Sequence, residues 1–340
     1  MNVKTNMNWG LNLQLMAGNP NTNVTTDGSL SVENKTFYDR ALIETAGPEL
    51  VHDQFGQKRP IPKNGGKTIE FRKYADLPKA LTPLTEGVTP DGKKLSASAI
   101  EATVSQYGDY VTISDVLDLT AIDNNVVEAT KVIGKQSGVT LDTITRNVLQ
   151  AGTNVYYCPK SDGSQPASRA TLDKTCVLTV DTVKRIVALL RGNNVPTIDG
   201  DYVCILHPYV AYDLMSDPKW EEANKYTNAQ ALYNGEIGKI AGVRFVQSSE
   251  AKIYSGSGCP TGLSVFGCLF LGQNAYGVTD IDGGGLRTII KQLGSAGTAD
   301  PLDQRATVGW KAIKTAEILV QAYLYRVECC SAFSPSAEAN

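Results

Sequence analysis

The chain has 340 residues, 42% hydrophobic and 20% charged, with a net charge of −3. This is ordinary globular composition, long enough for two or more core-bearing domains. The charge gives no global pull toward nucleic acid, no run of Lys or Arg appears, and no apolar run approaches the roughly 18 residues of a membrane-spanning helix.

Residues 1–30 are rich in Asn, Thr and Gly, with seven Asn before residue 24. Such a segment buries too little apolar surface to offset its ordering entropy, and it orders only on a partner. Its start lacks the apolar stretch of a secretory signal. Residues 32–55 have helical spacing through Phe37, Ala41, Leu42, Leu50, Val51 and Phe55, interrupted at Gly47-Pro48.

Residues 58–115 predict two long strands joined by a loop. Ile69 and Phe71 alternate with Thr68, Glu70 and Arg72, and alternation resumes at Ile100, Ala102 and Val104. At about ten residues per strand, the ribbon reaches roughly 33 Å. The segment between them, from Leu77 past Pro90 to Gly92, has no core pattern of its own. A two-stranded ribbon is marginal alone in water, so this one needs a surface, and a neighbouring copy can supply it. Tyr107 to Asp115 continues as a strand, with a bulge expected at Gly108.

Apolar residues at 122, 126, 129, 133, 141, 144 and 148 predict a long helix over 122–150, with one turn skipped at Ser137. Thr120 or Asp123 is the expected cap, Ala151-Gly152 the end, and Gly134 and Gly138 the place for a bend. Residues 153–178 are polar and turn-rich. Asp181 is read as capping a second helix, stopped at Gly192. Strands are expected at Tyr202–Leu206, Gly242–Gln247 and Leu263–Leu271, a short helix from Pro208 to Met215, a turn at Asp282-Gly-Gly-Gly285, and long strands within 304–327. Helix, strand, helix, then strands suggest an α+β domain over about 178–298.

No catalytic signature emerges. Gly65-Gly-Lys-Thr68 resembles the end of a phosphate loop, but position 61 is Ile and a strand follows, so it reads as a turn. Gly256-Ser-Gly258 lacks the third glycine of a dinucleotide site, since residue 261 is Thr. Asp280-Ile-Asp282-Gly has Lys291 where a calcium loop needs Glu. Cys204 and His207 are three apart on a strand and point to opposite faces. The chain has two histidines and seven cysteines, with no CxxC pair, which fits reduced thiols packed as small hydrophobes in a cytoplasmic chain. Glu221-Glu222 reads as a solvated pair. No catalytic, cofactor-binding or metal-binding residue is assigned, and no cofactor is expected.

The order of these parts resembles the major capsid proteins of tailed bacteriophages, whose shared shell fold is the Hong Kong-97 type. The motifs that carry the likeness to a capsid family of short-tailed and related phages are Phe37-Tyr-Asp-Arg-Ala-Leu, Gly66-Lys-Thr-Ile-Glu-Phe-Arg-Lys73, Leu84-Thr-Glu-Gly-Val-Thr-Pro90 and Gln106-Tyr-Gly-Asp-Tyr-Val-Thr-Ile-Ser-Asp115. Leu141-Asp-Thr-Ile-Thr-Arg146, Gly238-Lys-Ile-Ala-Gly-Val243 and Asp300-Pro-Leu-Asp-Gln-Arg305 with Trp310 complete the set.

The resemblance implies an α+β capsid fold. Residues 1–57 form an arm with short helices, and 58–106 an extended β-hairpin loop lying across an adjacent subunit. Residues 107–177 make a peripheral domain with a spine helix at 122–150, 178–298 an axial domain, and 299–340 return strands with a tail. It implies a major capsid protein that self-assembles, as pentamers and hexamers, into an icosahedral shell around a double-stranded DNA genome. Portal and possibly scaffold or cement proteins would be partners, DNA would be touched weakly and without sequence preference, and no membrane is involved. Location would be the virion, with assembly in the host cytoplasm. Arg72, Lys73, Glu86, Asp91, Lys93 and Lys94 are the ribbon charges expected at subunit contacts. Two rivals remain: an encapsulin-like compartment, and an α+β enzyme dimerising through its β-arm.

Overall fold

A computed structural model describes residues 50–62, 64–74, 77–89, 91–120, 125–225, 238–279, 285–295 and 300–340. The expected N-terminal arm, residues 32–49 of the helical stretch expected over 32–55, Pro90, the start of the long helix with its Asp123 cap, and the glycine turn at 282–284 lie outside them. Residues 50–55 are described and run as a turn, not as a helix, because the His52 N–H donates to Asp142 of the long helix instead of along its own backbone. In chain order the first elements are β1 (Gln57–Lys58), β2 (Thr68–Tyr74), β3 (Ala97–Thr103), β4 (Ser105–Ser114), α1 (Asp115–Thr120), α2 (Asn125–Gln150) and β5 (Val155–Tyr157). Next come α3 (Val180–Gly192), β6 (Tyr202–Leu206), α4 (Pro208–Met215), α5 (Pro218–Lys225), β7 (Lys239–Ile240), β8 (Val243–Gln247) and β9 (Ile253–Tyr254). Strands β10 (Val265–Leu271), β11 (Tyr276–Thr279), β12 (Arg287–Lys291), β13 (Arg305–Ile318) and β14 (Leu324–Cys329) complete the chain.

The long helix runs unbroken through Gly134 and Gly138, where a bend was expected. Both glycines and Ser137 are buried, so no turn is skipped: small residues fill it, and Ser137 Oγ donates to the Gly134 carbonyl at 2.7 Å. Their size lets the helix lie close on β13 and β4, where Ile133 and Leu141 pack with Ile113, Val308, Trp310 and Ala312. Thr120 is the last residue of the short helix α1. Thr179, not Asp181, caps α3, its side chain accepting from Thr182 N; Asp181 sits in the first turn and pairs with Lys219.

The first sheet is built on β13. Its residues Arg305–Lys314 pair without interruption with Ser114–Ser105 of β4, so the bulge expected at Gly108 is absent. Gly108 is a close-approach site instead: a Cβ there would lie 2.6 Å from the Trp310 carbonyl oxygen. β13 also pairs with β12 and β11, and β11 pairs in parallel with β1. The second sheet has the order β5-β14-β10-β6-β8-β7, with β9 on β10. Strands β6 and β10 are buried along their whole length because both sheet faces are covered. Tyr202, Cys204, Leu206, Phe266, Cys268 and Phe270 face α3 and α4 in one core. Val203, Ile205, Leu269 and Leu271 face the other way and meet Leu149 of α2 and Tyr276.

Strand pairing departs from the expected domain grouping. Strands β11 and β12, placed within 178–298, hydrogen-bond to β13, whereas β14, placed with the return strands, sits between β10 and β5 in the second sheet. Short strands carry no sequence signal of which sheet they join, because pairing is set by distant partners.

A buried polar network fastens segment 50–58 to the helix. The His52 backbone N–H donates to Asp142 Oδ1 at 2.7 Å, and His52 Nδ1 lies 2.6 Å from Oδ2, both residues fully buried. Thr145 Oγ1 donates to Asp53 Oδ1 at 2.6 Å; Lys314 Nζ donates to Asp53 Oδ2 and to the Leu141 carbonyl, and Tyr276 Oη to the His52 carbonyl. Removing one partner strands the others in a low dielectric. Asp142→Ala therefore lowers stability by about 3 kcal/mol in urea unfolding, and Asp142→Asn, which keeps one acceptor, by less.

Candidate assembly surface

The ribbon is shorter than expected. Strands β2 and β3 pair over seven residues each, Thr68 opposite Thr103 and Tyr74 opposite Ala97. It also has a seat on its own chain, contrary to the expectation of a ribbon without a core. Phe71 and Ala102 are buried, and the Phe71 ring lies on Gly277 of β11, where a Cβ would come within 2.7 Å of the ring. Thr68 starts β2 two residues after Gly66, which has φ 91°, so Gly65-Gly-Lys-Thr68 is a turn into a strand.

Beyond Tyr74 the chain has no such seat. Leu81 and Leu84 are 81% and 77% exposed, and Leu77, Val88 and Leu95 are exposed as well. Full burial of such side chains is worth roughly 1.5–3 kcal/mol each, so together they form an unfilled contact surface. A second apolar area lies at the far end of the first sheet. Val116, Leu117 and Leu119 of α1 are exposed, as is Leu302, and the Asp115 N–H donates to the Gln304 carbonyl at 3.1 Å, which joins the two segments.

The six charges expected at contacts divide into two groups. Arg72 pairs with Glu70 of its own strand at 3.2 Å, and that hydrogen bond raises its pKa. Lys73 Nζ lies 5.8 Å from the centre of the Tyr323 ring, over its own body. Glu86, Asp91, Lys93 and Lys94 are on the exposed loop, without an ion partner among the described residues. Sequence reasoning named the loop charges and missed the loop aliphatics. Their signal was present as large residues at 77, 81, 84, 88 and 95, spaced with neither helical nor strand period and set among prolines and threonines.

Among the described residues no group of His, Cys, Asp and Glu is placed to hold a metal ion. No described helix is long and apolar enough to cross a membrane. All seven cysteines are free, six of them buried, and burial raises the Cys204 thiol pKa well above its usual value. His207 caps α4 by accepting from the Tyr209 N–H at 3.2 Å, and Cys204 is buried in the second-sheet core.

A ribbon standing out from a two-sheet body, with one long helix touching both cores, is the Hong Kong-97-type shell fold, the fold of self-assembling viral shell proteins. The chain is similar to the capsid of cyanophage Pam1, with a TM-score of 0.66 and 13% identity over 85% of this chain and 93% of that chain. It is similar to the capsid of cyanophage P-SCSP1u, with a TM-score of 0.63 and 15% identity over 85% and 89%. For the capsid of Ralstonia phage GP4 the TM-score is 0.61, with 15% identity over 84% and 90%. A search of curated proteins finds no match. The model of the phage capsid protein family matches residues 55–259, more than half of the chain. The chain belongs to the phage capsid protein family: it is a major capsid protein, a shell-forming component of the virion. That membership supports the phage-shell reading.

The Phe71–Gly277 contact holds the ribbon base. Phe71→Ala leaves the body folded, and limited proteolysis then cuts within residues 60–106 several times faster than in the parent chain.

Proposed function

We propose that the shell encloses a double-stranded DNA genome and is built from pentamers and hexamers in which residues 77–96 of each copy lie on an adjacent one. The observation that carries this reading is the loop itself, with five large aliphatic side chains that no other described residue covers. Contacts that repeat head to tail close into a shell when the rotations fit. The sheet built on β13, with α2, corresponds to the peripheral domain, and the sheet containing β6, β10 and β14 to the axial domain near the five-fold and quasi-six-fold axes. Of the six ribbon charges, Glu86, Asp91, Lys93 and Lys94 lie where they can reach a neighbour, whereas Arg72 and Lys73 steady the ribbon base.

The protein acts as structure, without a reaction of its own. It assembles in the host cytoplasm and joins a portal, with scaffold or cement proteins as further partners. DNA is held weakly and without sequence preference, as a net charge of −3 fits. Replacing residues 78–96 with a short glycine-serine turn is expected to leave soluble monomers or small oligomers, seen by sedimentation and negative-stain microscopy. Normal shells from that variant would overturn the reading.

A further inference from the structure

The open face of the β4–β13–β12 sheet holds an arrangement that the other described residues do not complete. Strand register sets Tyr110, Gly309 and Ile289 in one row across the three strands, and Gly108, Lys311 and Arg287 in the next. Without a side chain at Gly309, the first row is a trough walled by Tyr110 and Ile289, both exposed. The second row places two cations directly opposite one another, which is unfavourable in an antiparallel pair. Among the described residues no carboxylate lies within ion-pair distance of either. A cleft of about 540 Å³ lies over this face, lined by Gln106, Tyr110, Ile289, Thr307 and Lys311.

A ligand for this face carries an aliphatic side chain and, one row further on, a carboxylate. Rows on one face of a strand are two residues apart, about 7 Å. The exposed loop presents that pair. Thr85 to Val88 form a tight turn, closed by the Val88 N–H donating to the Thr85 carbonyl at 3.2 Å, with Gly87 at φ 77°. Glu86 stands at the apex of the turn, unpaired, with exposed Leu84 and Val88 on either side. Glu86 is two residues from Leu84 and two from Val88, a reach of at most about 7 Å, so acid and aliphatic can span the row spacing. The turn is already formed, which lowers the ordering cost of docking. The loop's other unpaired acid, Asp91, is followed by Gly92, Lys93 and Lys94 and has no aliphatic side chain beside it.

We propose that the Thr85–Val88 turn of a second copy seats on this face, with Leu84 or Val88 over Gly309 and Glu86 between Lys311 and Arg287. This rests on the reading that the loop lies on an adjacent copy, and adds the seat and the residue that fixes the register.

The test is a charge exchange. Glu86→Lys and Lys311→Glu should each lower shell yield about tenfold, and the two together should recover it to within about threefold of the parent. Gly87→Ala, which meets no atom but strains a positive φ, should weaken assembly without unfolding the body. In assembled particles, Glu86→Cys with Lys311→Cys should give an intermolecular ladder on non-reducing gels, absent from either single variant. No recovery on exchange and no ladder, while the loop-replaced chain still fails to assemble, would place the seat elsewhere and leave the loop reading intact. Normal shells from the loop-replaced chain would remove both.

Discussion

The polar contact between segment 50–58 and the long helix is the constraint on which the rest of the structure depends. Asp142 and Thr145 lie on the buried face of α2, and between them they hold His52, Asp53 and, through Asp53, Lys314 of β13. Three chain segments far apart in sequence meet there, and each supplies a group that the others cannot leave unmatched. The same helix reaches the second sheet at its other end. Gln150 Nε2 donates to the Gly267 carbonyl at 2.9 Å, and Leu149 enters the second core. Arg146 Nη1 donates to the Glu250 carbonyl at 2.6 Å. One helix thus fixes both sheets, by polar contacts as much as by apolar ones.

That mixture explains what could be read from the chain. Elements with a clear period were legible: the long helix, described over Asn125–Gln150, the buried strand at Tyr202–Leu206, the helix after Pro208, and the strands flanking the loop. The helix face was legible only in its apolar half, because Thr130, Ser137, Asp142, Thr145 and Arg146 are buried through partners that no local pattern reveals. Gly108 looked like a bulge because a lone glycine in a strand has two explanations, and only the Trp310 carbonyl opposite decides between them. The grouping of strands into sheets failed for the same reason: β11, β12 and β14 are defined by whom they pair with. The candidate surface was legible as a segment and not as residues, since its charges drew attention that its aliphatics warranted equally.

The body and the loop follow opposite rules. In the two sheet cores the large apolar side chains are covered, and the buried cysteines serve as packing. From Leu77 to Leu95 the leucines and Val88 are exposed, and the turn at Glu86 is preformed with nothing beneath it. A monomeric protein would carry this as an aggregation liability, whereas in a shell the contact proposed above would cover it. The sheet face with Gly309 at its centre has the complementary form, a hollow in place of a projection, so both halves are carried by one chain.

The join between loop and body has a mechanical consequence. Strand β3 ends at Thr103 and β4 begins at Ser105, with only Val104 between them, its N–H tied to the Lys67 carbonyl at 2.9 Å. The ribbon and the ten-residue ladder of β4 on β13 are therefore nearly one continuous strand. Ladder hydrogen bonds lie across the strand direction, so tension drawn along that strand loads them together in shear instead of opening them one by one. A neighbour pulling on the loop pulls against the strongest direction of the sheet.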